Sequence, residues 1–149
     1  MSTTKKTVIV IIGIILWALA LWALIASIQS YSSKNKNTLV SLEIVDTQAE
    51  RDQGLSGREN LPKDHGMLFV FDRTDIYKFW MKDMKFSIDM IFLDENFHIV
   101  SIEKNVSPDT FPQTFQPSVP IKYVLECATG FAERHRLKVG DRLAPYLML

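Results

Sequence analysis

The alternation of apolar and polar positions divides this chain into two unlike parts. From Val8 to Ile28 no residue is charged, and only Gly13 and Ser27 interrupt the apolar run. At ~1.5 Å per residue a helix of this length spans roughly the ~30 Å hydrocarbon core of a bilayer. A single helix also satisfies its own backbone hydrogen bonds there. Lys5 and Lys6 precede the run, and Tyr31, Lys34 and Lys36 follow it. The pattern predicts a basic tail over 1–7, an uncleaved transmembrane helix over 8–28 and a polar tether over 29–37. A cleaved signal peptide would have a shorter apolar region, about 7–15 residues, with a small-x-small site. Basic residues flank both ends, so the positive-inside bias is nearly balanced. The order of basic tail, apolar run and long domain is that of a signal-anchor, with the N-terminus cytoplasmic and the domain outside the cell membrane.

After the tether the periods are mostly those of strands. Leu39–Val45 alternates Val40, Leu42 and Ile44 against more polar neighbours. Thr47 followed by Glu50 has the spacing of a capping box and predicts a short helix, broken by Gly54 and Gly57. Met67–Phe71, Tyr77–Lys82, Ile88–Leu93, Phe97–Glu103 and Ile121–Ala128 read as strands, with Asp94-Glu95-Asn96 turning a hairpin. Thr129-Gly130 opens a brief helix to about Arg136, and Val139-Gly140-Asp141 precedes a last short strand. Ser107–Pro120 carries four prolines and two phenylalanines, Phe111 and Phe115. It reads as a crossover strap or as a lid. Short, closely spaced strands with few helices predict a mainly β domain over 38–149, a compact antiparallel sandwich or partly closed barrel.

Charge narrows the partners. The 149-residue chain is neutral, with 17 basic and 17 acidic side chains. Every acidic residue lies after position 38, which leaves the domain with 13 basic against 17 acidic, a net of −4. That argues against nucleic acid as a partner. The single cysteine, Cys127, excludes an internal disulfide framework. His65, His98 and His135 lack metal-ligand spacing. Neither a nucleophile elbow nor a phosphate-cradling glycine loop occurs, so no metal or cofactor is expected.

Several short motifs stand in order: Arg51–Arg58 (RDQGLSGR), Gly66-Met67-Leu68-Phe69, Phe79-Trp80-Met81-Lys82, Ile88-Asp89-Met90-Ile91-Phe92, Val124-Leu125-Glu126, and Gly130 with Gly140-Asp141. Together they resemble the family called domain of unknown function 192, from about residue 40 to the C-terminus. The resemblance implies a small, mostly β domain, frequently secreted or membrane-anchored, and supplies no reaction. The chain departs from the family pattern at Ser56, where methionine is usual, and at Asp83-Met84, where Asn-Thr is typical.

Two carboxylates carry the candidate chemistry. Asp89 shares a strand face with Ile91 and Leu93, and Glu126 shares one with Val124 and Ala128. A buried carboxylate without partners costs several kcal/mol, so a cation from Arg51, Arg58 or Lys82 is expected beside Asp89. The candidate set is therefore Arg51, Arg58, Trp80, Lys82, Asp89 and Glu126. It reads either as a polar binding pocket, with Phe111 and Phe115 as its lid, or as a structural ion-pair network. Trp80 is core or a flat platform for a sugar or aromatic ligand, and Cys127 is a small buried hydrophobe. Three functions fit: a non-catalytic binding or accessory module of the cell envelope taking a small polar ligand, a hydrolase using Asp89 and Glu126 on a glycan-like substrate, or a structural partner of another envelope protein.

Overall fold

The structure, a computed structural model, describes residues 13–26, 41–63 and 65–143. The chain divides into two compact units, Met1–Asn37 and Thr38–Leu149. In the first, residues 13–26 are helical. Large apolar side chains are exposed all around this helix, among them Ile14, Trp17, Leu21, Trp22 and Ile25. The rest of the expected span over 8–28 lies outside the described residues. Among the described residues no helix is long and apolar enough to cross a membrane. Residues 13–26 alone would reach about 20 Å, short of the ~30 Å core. The expected transmembrane helix is thus not shown.

In the second unit hydrophobic alternation builds one five-stranded sheet. Its strands are β1 (Ser41–Val45), β2 (His65–Asp75), β4 (Ile88–Leu93), β5 (Ile99–Val106) and β7 (Ile121–Ala128), ordered β1-β2-β7-β4-β5. A two-stranded ribbon pairs β3 (Phe79–Trp80) with β6 (Thr114–Phe115). Two short helices complete the unit, α1 (Gln48–Gln53) and α2 (Phe131–Arg134). The expected antiparallel sandwich or barrel is corrected in one respect. The fold is mainly β, but its sheet is mixed and does not close. β1 runs parallel to β2, because the connection through α1 and the glycine turn is long enough for a parallel return. The other pairs in the sheet are antiparallel.

The three interior strands, β2, β7 and β4, have apolar neighbours on both faces. On one face Ile88, Met90, Phe92, Met67, Phe69 and Val124 pack beneath Leu55, Phe79 and Met81. On the other, Ile91, Leu93, Leu68, Leu125 and Cys127 pack against Phe131 and Leu143. β1 is an edge strand, and Ile44, one of its alternating apolar positions, is 46% exposed.

Local chemistry explains where elements end. Thr47 caps α1, its hydroxyl accepting from the Glu50 N–H at 3.3 Å while the Glu50 carboxylate accepts from the Thr47 N–H at 3.1 Å. The expected strand over 77–82 shortens to β3. Tyr77 leaves it to stack on Phe71 at 3.5 Å, and the chain turns at Asp83, whose φ is +56°. The second arm of the hairpin starts later than expected, at Ile99, because the Asp94 carboxylate takes the N–H groups of Asn96 and His98, both at 2.8 Å. Of the last expected strand, the described residues include a single bridge between His98 and Arg142, and the rest lies outside them.

Asp89 has no exposed surface, and no cation holds it among the described residues. Its carboxylate accepts from the backbone N–H of Asn105 at 2.9 Å, of Gly130 at 3.3 Å and of Ala132 at 2.8 Å. Arg58 is elsewhere, bonded to Glu43 at 2.8 Å; this contact holds the Glu43 carboxyl below its usual range. The expectation of a cation at Asp89 is corrected. Backbone amides at the start of α2 and at the end of β5 satisfy its oxygens without a second buried ion. Asp89→Ala would leave these donors buried without acceptors and is expected to lower unfolding stability by about 3 kcal/mol. Asp89→Asn, which keeps one acceptor, should cost less. Chemical denaturation of both variants checks the order, and equal stability of wild type and Asp89→Ala would refute the latch.

Candidate functional site

Directly after α1 the chain makes a turn that only glycine fits easily. Gly54 has φ +49°, and a Cβ there would lie 3.3 Å from the Phe69 ring. Gly57 has φ +79°, and its N–H donates to the Asp83 carbonyl at 2.8 Å. The Ser56 hydroxyl donates to the Lys82 carbonyl at 2.9 Å. These two bonds fasten the glycine turn to the turn after β3.

The fastened turns wall a cleft of about 1060 Å³. Arg51, Asp52, Gly54 and Ser56 stand on one side and Trp80, Lys82, Asp83 and Met84 on the other. Phe69, Phe71, Phe79 and Glu126 contribute from the sheet and the ribbon. The rings interlock: Phe69 meets Phe79 edge-on at 5.0 Å, and Phe79 meets Phe92 edge-on at 5.9 Å. Arg51 is fixed in the wall. It donates to the Val70 carbonyl at 2.8 Å and to the Asp46 carbonyl, and its guanidinium lies 5.4 Å from the Phe71 ring centre.

Glu126 is the anomaly. Register places it between Met67 of β2 and Met90 of β4, on the face it shares with Val124 and Ala128. It is 5% exposed, and that surface opens to the cleft. No hydrogen bond or ion pair reaches its carboxyl among the described residues. Burial pushes this carboxyl up to about 8 from an ordinary 4.5, because an apolar surrounding disfavours charge. Burial likewise pushes the Cys127 thiol up, which leaves it a small buried hydrophobe.

The sequence-derived set is thus only partly assembled. Arg51, Trp80, Lys82 and Glu126 line one cleft. Arg58 does not line it. Asp89 pairs across the strands with Cys127, whereas Glu126 pairs with Met90. The two carboxylates therefore lie on opposite faces of the sheet, and the acid/base pair is corrected on that ground. Neither Phe111 nor Phe115 lines the cleft. Phe115 pairs with Phe79 across the ribbon, so the proline segment is a strap. Trp80 is 55% exposed and stands on the cleft wall rather than in the core. Sequence reasoning missed the lining rings Phe69, Phe71, Tyr77 and Phe79. A signal was present: Ser56, Asp83 and Met84, the positions departing from the family pattern, all line the cleft.

The family described as uncharacterized ACR, domain of unknown function 192, matches residues 30–145. This chain belongs to that family. Two solved structures are similar to it. One, from Sinorhizobium meliloti and provisionally described as a transcription regulator, is 34% identical, with a TM-score of 0.65 over 68% of this chain and 78% of that one. The other, a protein of unknown function from Novosphingobium aromaticivorans, is 31% identical, with a TM-score of 0.64 over 68% of this chain and 71% of that one. No curated protein matches the chain.

Glu126 makes stability depend on pH. Between its unfolded value near 4.5 and its folded value of about 8, the folded chain holds a proton that the unfolded chain has released. The contribution is full below the lower value and is lost as pH rises through the upper one. The slope is at most about 1.4 kcal/mol per pH unit. The stability of wild type minus that of Glu126→Gln should therefore fall as pH rises through this window. Paired urea titrations across it check this, and a difference independent of pH would refute the buried acid.

Proposed function

We propose that this member of the family is a membrane-tethered, extracytoplasmic binding or accessory module of the cell envelope. The observation that carries the binding role is the Glu126 carboxyl, without a donor from the described chain, on the floor of a cleft of about 1060 Å³. Clefts of roughly 300–1,000 Å³ hold small ligands, mostly apolar in lining with a few oriented polar groups. Trp80, Phe79 and Glu126 supply that combination here. Asp89 is turned to the other face, so the expected Asp89–Glu126 pair is not assembled, which favours binding over hydrolysis by that pair. The net charge of −4 on the domain argues against nucleic acid. The tether rests on the uncharged Val8–Ile28 run and on a helix over 13–26 that is apolar on every side.

A second reading, docking of another envelope protein by strand addition, draws on β1. This strand is paired only with β2 among the described residues and exposes Ile44.

Two measurements test the main reading. Fragment screening by amide NMR should shift residues of the 54–57 and 80–84 turns, and Trp80→Ala should weaken the hits. Hits confined to β1 would favour the second reading instead. Alkaline carbonate should leave the full-length chain in the membrane pellet, and protease added to intact spheroplasts should digest the domain. Release into the supernatant would refute the tether.

A further inference from the structure

The floor of the cleft specifies the charge of its occupant. Glu126 sits in the middle of the sheet, flanked in register by Met67 and Met90 and sharing its face with Val124 and Ala128. None of these side chains offers a hydrogen-bond donor. The cations of the cleft are directed elsewhere. Arg51 is committed to the carbonyls of Val70 and Asp46, and Arg73 pairs with Asp75 at 3.6 Å. Lys78 and Lys82 are exposed at the rim. None of the four forms an ion pair with Glu126 among the described residues. Nor do the described residues hold a group of three or more His, Cys, Asp or Glu suited to a metal. The acids at the rim, Asp52, Asp72 and Asp83, line the same cleft.

The remaining lining is aromatic. Trp80 is largely exposed, and Phe69, Phe71, Tyr77 and Phe79 line the cleft with it. Ring faces attract organic cations, and the wall already shows such a contact, Arg51 against Phe71. From these observations we infer that the cleft takes a small organic cation, a protonated amine on an apolar body, whose ammonium meets Glu126 while its body lies against the rings. Burial keeps a proton on the carboxyl of the free cleft. An ammonium beside it favours the charged form, so binding releases that proton and gains an ion contact, whereas a neutral hydroxyl offers only a hydrogen bond. The inference rests on the binding reading above and narrows it to one ligand class.

Matched probes of equal shape separate charge from shape: 2-phenylethylammonium, neutral 2-phenylethanol and anionic phenylacetate. Acetyl-lysine methylamide is added as a mimic of a protein side chain. Binding to the full-length chain in mild detergent is measured by saturation-transfer NMR. The ammonium probe should bind about tenfold or more tightly than the alcohol, as expected for one desolvated charge contact. Glu126→Gln should abolish that preference while leaving the alcohol unchanged. Trp80→Ala, an exposed position whose fold is not at risk, should weaken the ammonium probe about two- to fivefold. Tighter binding of acetyl-lysine methylamide than of 2-phenylethylammonium would support the same chemistry and assign its source to a protein side chain. Equal or tighter binding of the alcohol or phenylacetate would overturn the cation inference and leave a binding cleft. Binding of no probe of any charge would overturn both.

Discussion

β4 and β7 are covered on both faces, and everything polar on them must be met by something other than bulk water. In the middle of a sheet, a carboxylate has few outcomes. It can accept from oriented amides, it can pair with a buried cation, or it can keep its proton and face an opening. Asp89 takes the first course and Glu126 the third. The same constraint thus makes one residue a fastener and the other a candidate site. The difference follows from parity along two adjacent strands, since Asp89 stands opposite Cys127 and Glu126 opposite Met90.

The layers over the sheet follow from this division. On the Asp89 side, α2 begins where its amides can reach the carboxylate, and Phe131 and Leu143 close the core. On the Glu126 side the cover is built from turns and a short ribbon, fastened to each other by Ser56 and Gly57. Turns cover a sheet less completely than a helix does, so this side keeps an opening. The aromatic rings then serve two ends. Phe79 packs on Phe69 and Phe92 as core and still presents surface to the cleft.

Much of this was legible in the sequence, for physical reasons that differ by element. Ile88–Leu93 and Ile121–Ala128 are read with their observed bounds because long apolar runs without glycine or proline leave the chain no alternative. The Thr47–Glu50 cap is legible because it is local. The sheet's mixed order was not, since parallel and antiparallel pairing share one side-chain period. The strand over 77–82 failed because the stacking of Tyr77 on Phe71 joins residues on different elements. At the candidate site, strand parity gave the surroundings of Asp89 and Glu126 correctly. Backbone amides carry no signature in side-chain sequence, so the partners of Asp89 were sought among cations. Trp80 was ambiguous because one exposed ring and one buried ring look alike in a pattern of apolar letters.

The fastening of the cleft walls also bears on how the site could be altered. Both bonds to the second turn end on main-chain oxygens, those of Lys82 and Asp83. The side chains at 82 and 83 therefore take no part in these two bonds, although they carry opposite charges and line the opening. At position 82 the side chain that faces the opening is thus separable from the main-chain bond that pins the turn. Position 82 can be recoded without reopening the question of whether the chain folds, whereas position 83, at φ +56°, favours Asp, Asn or Gly.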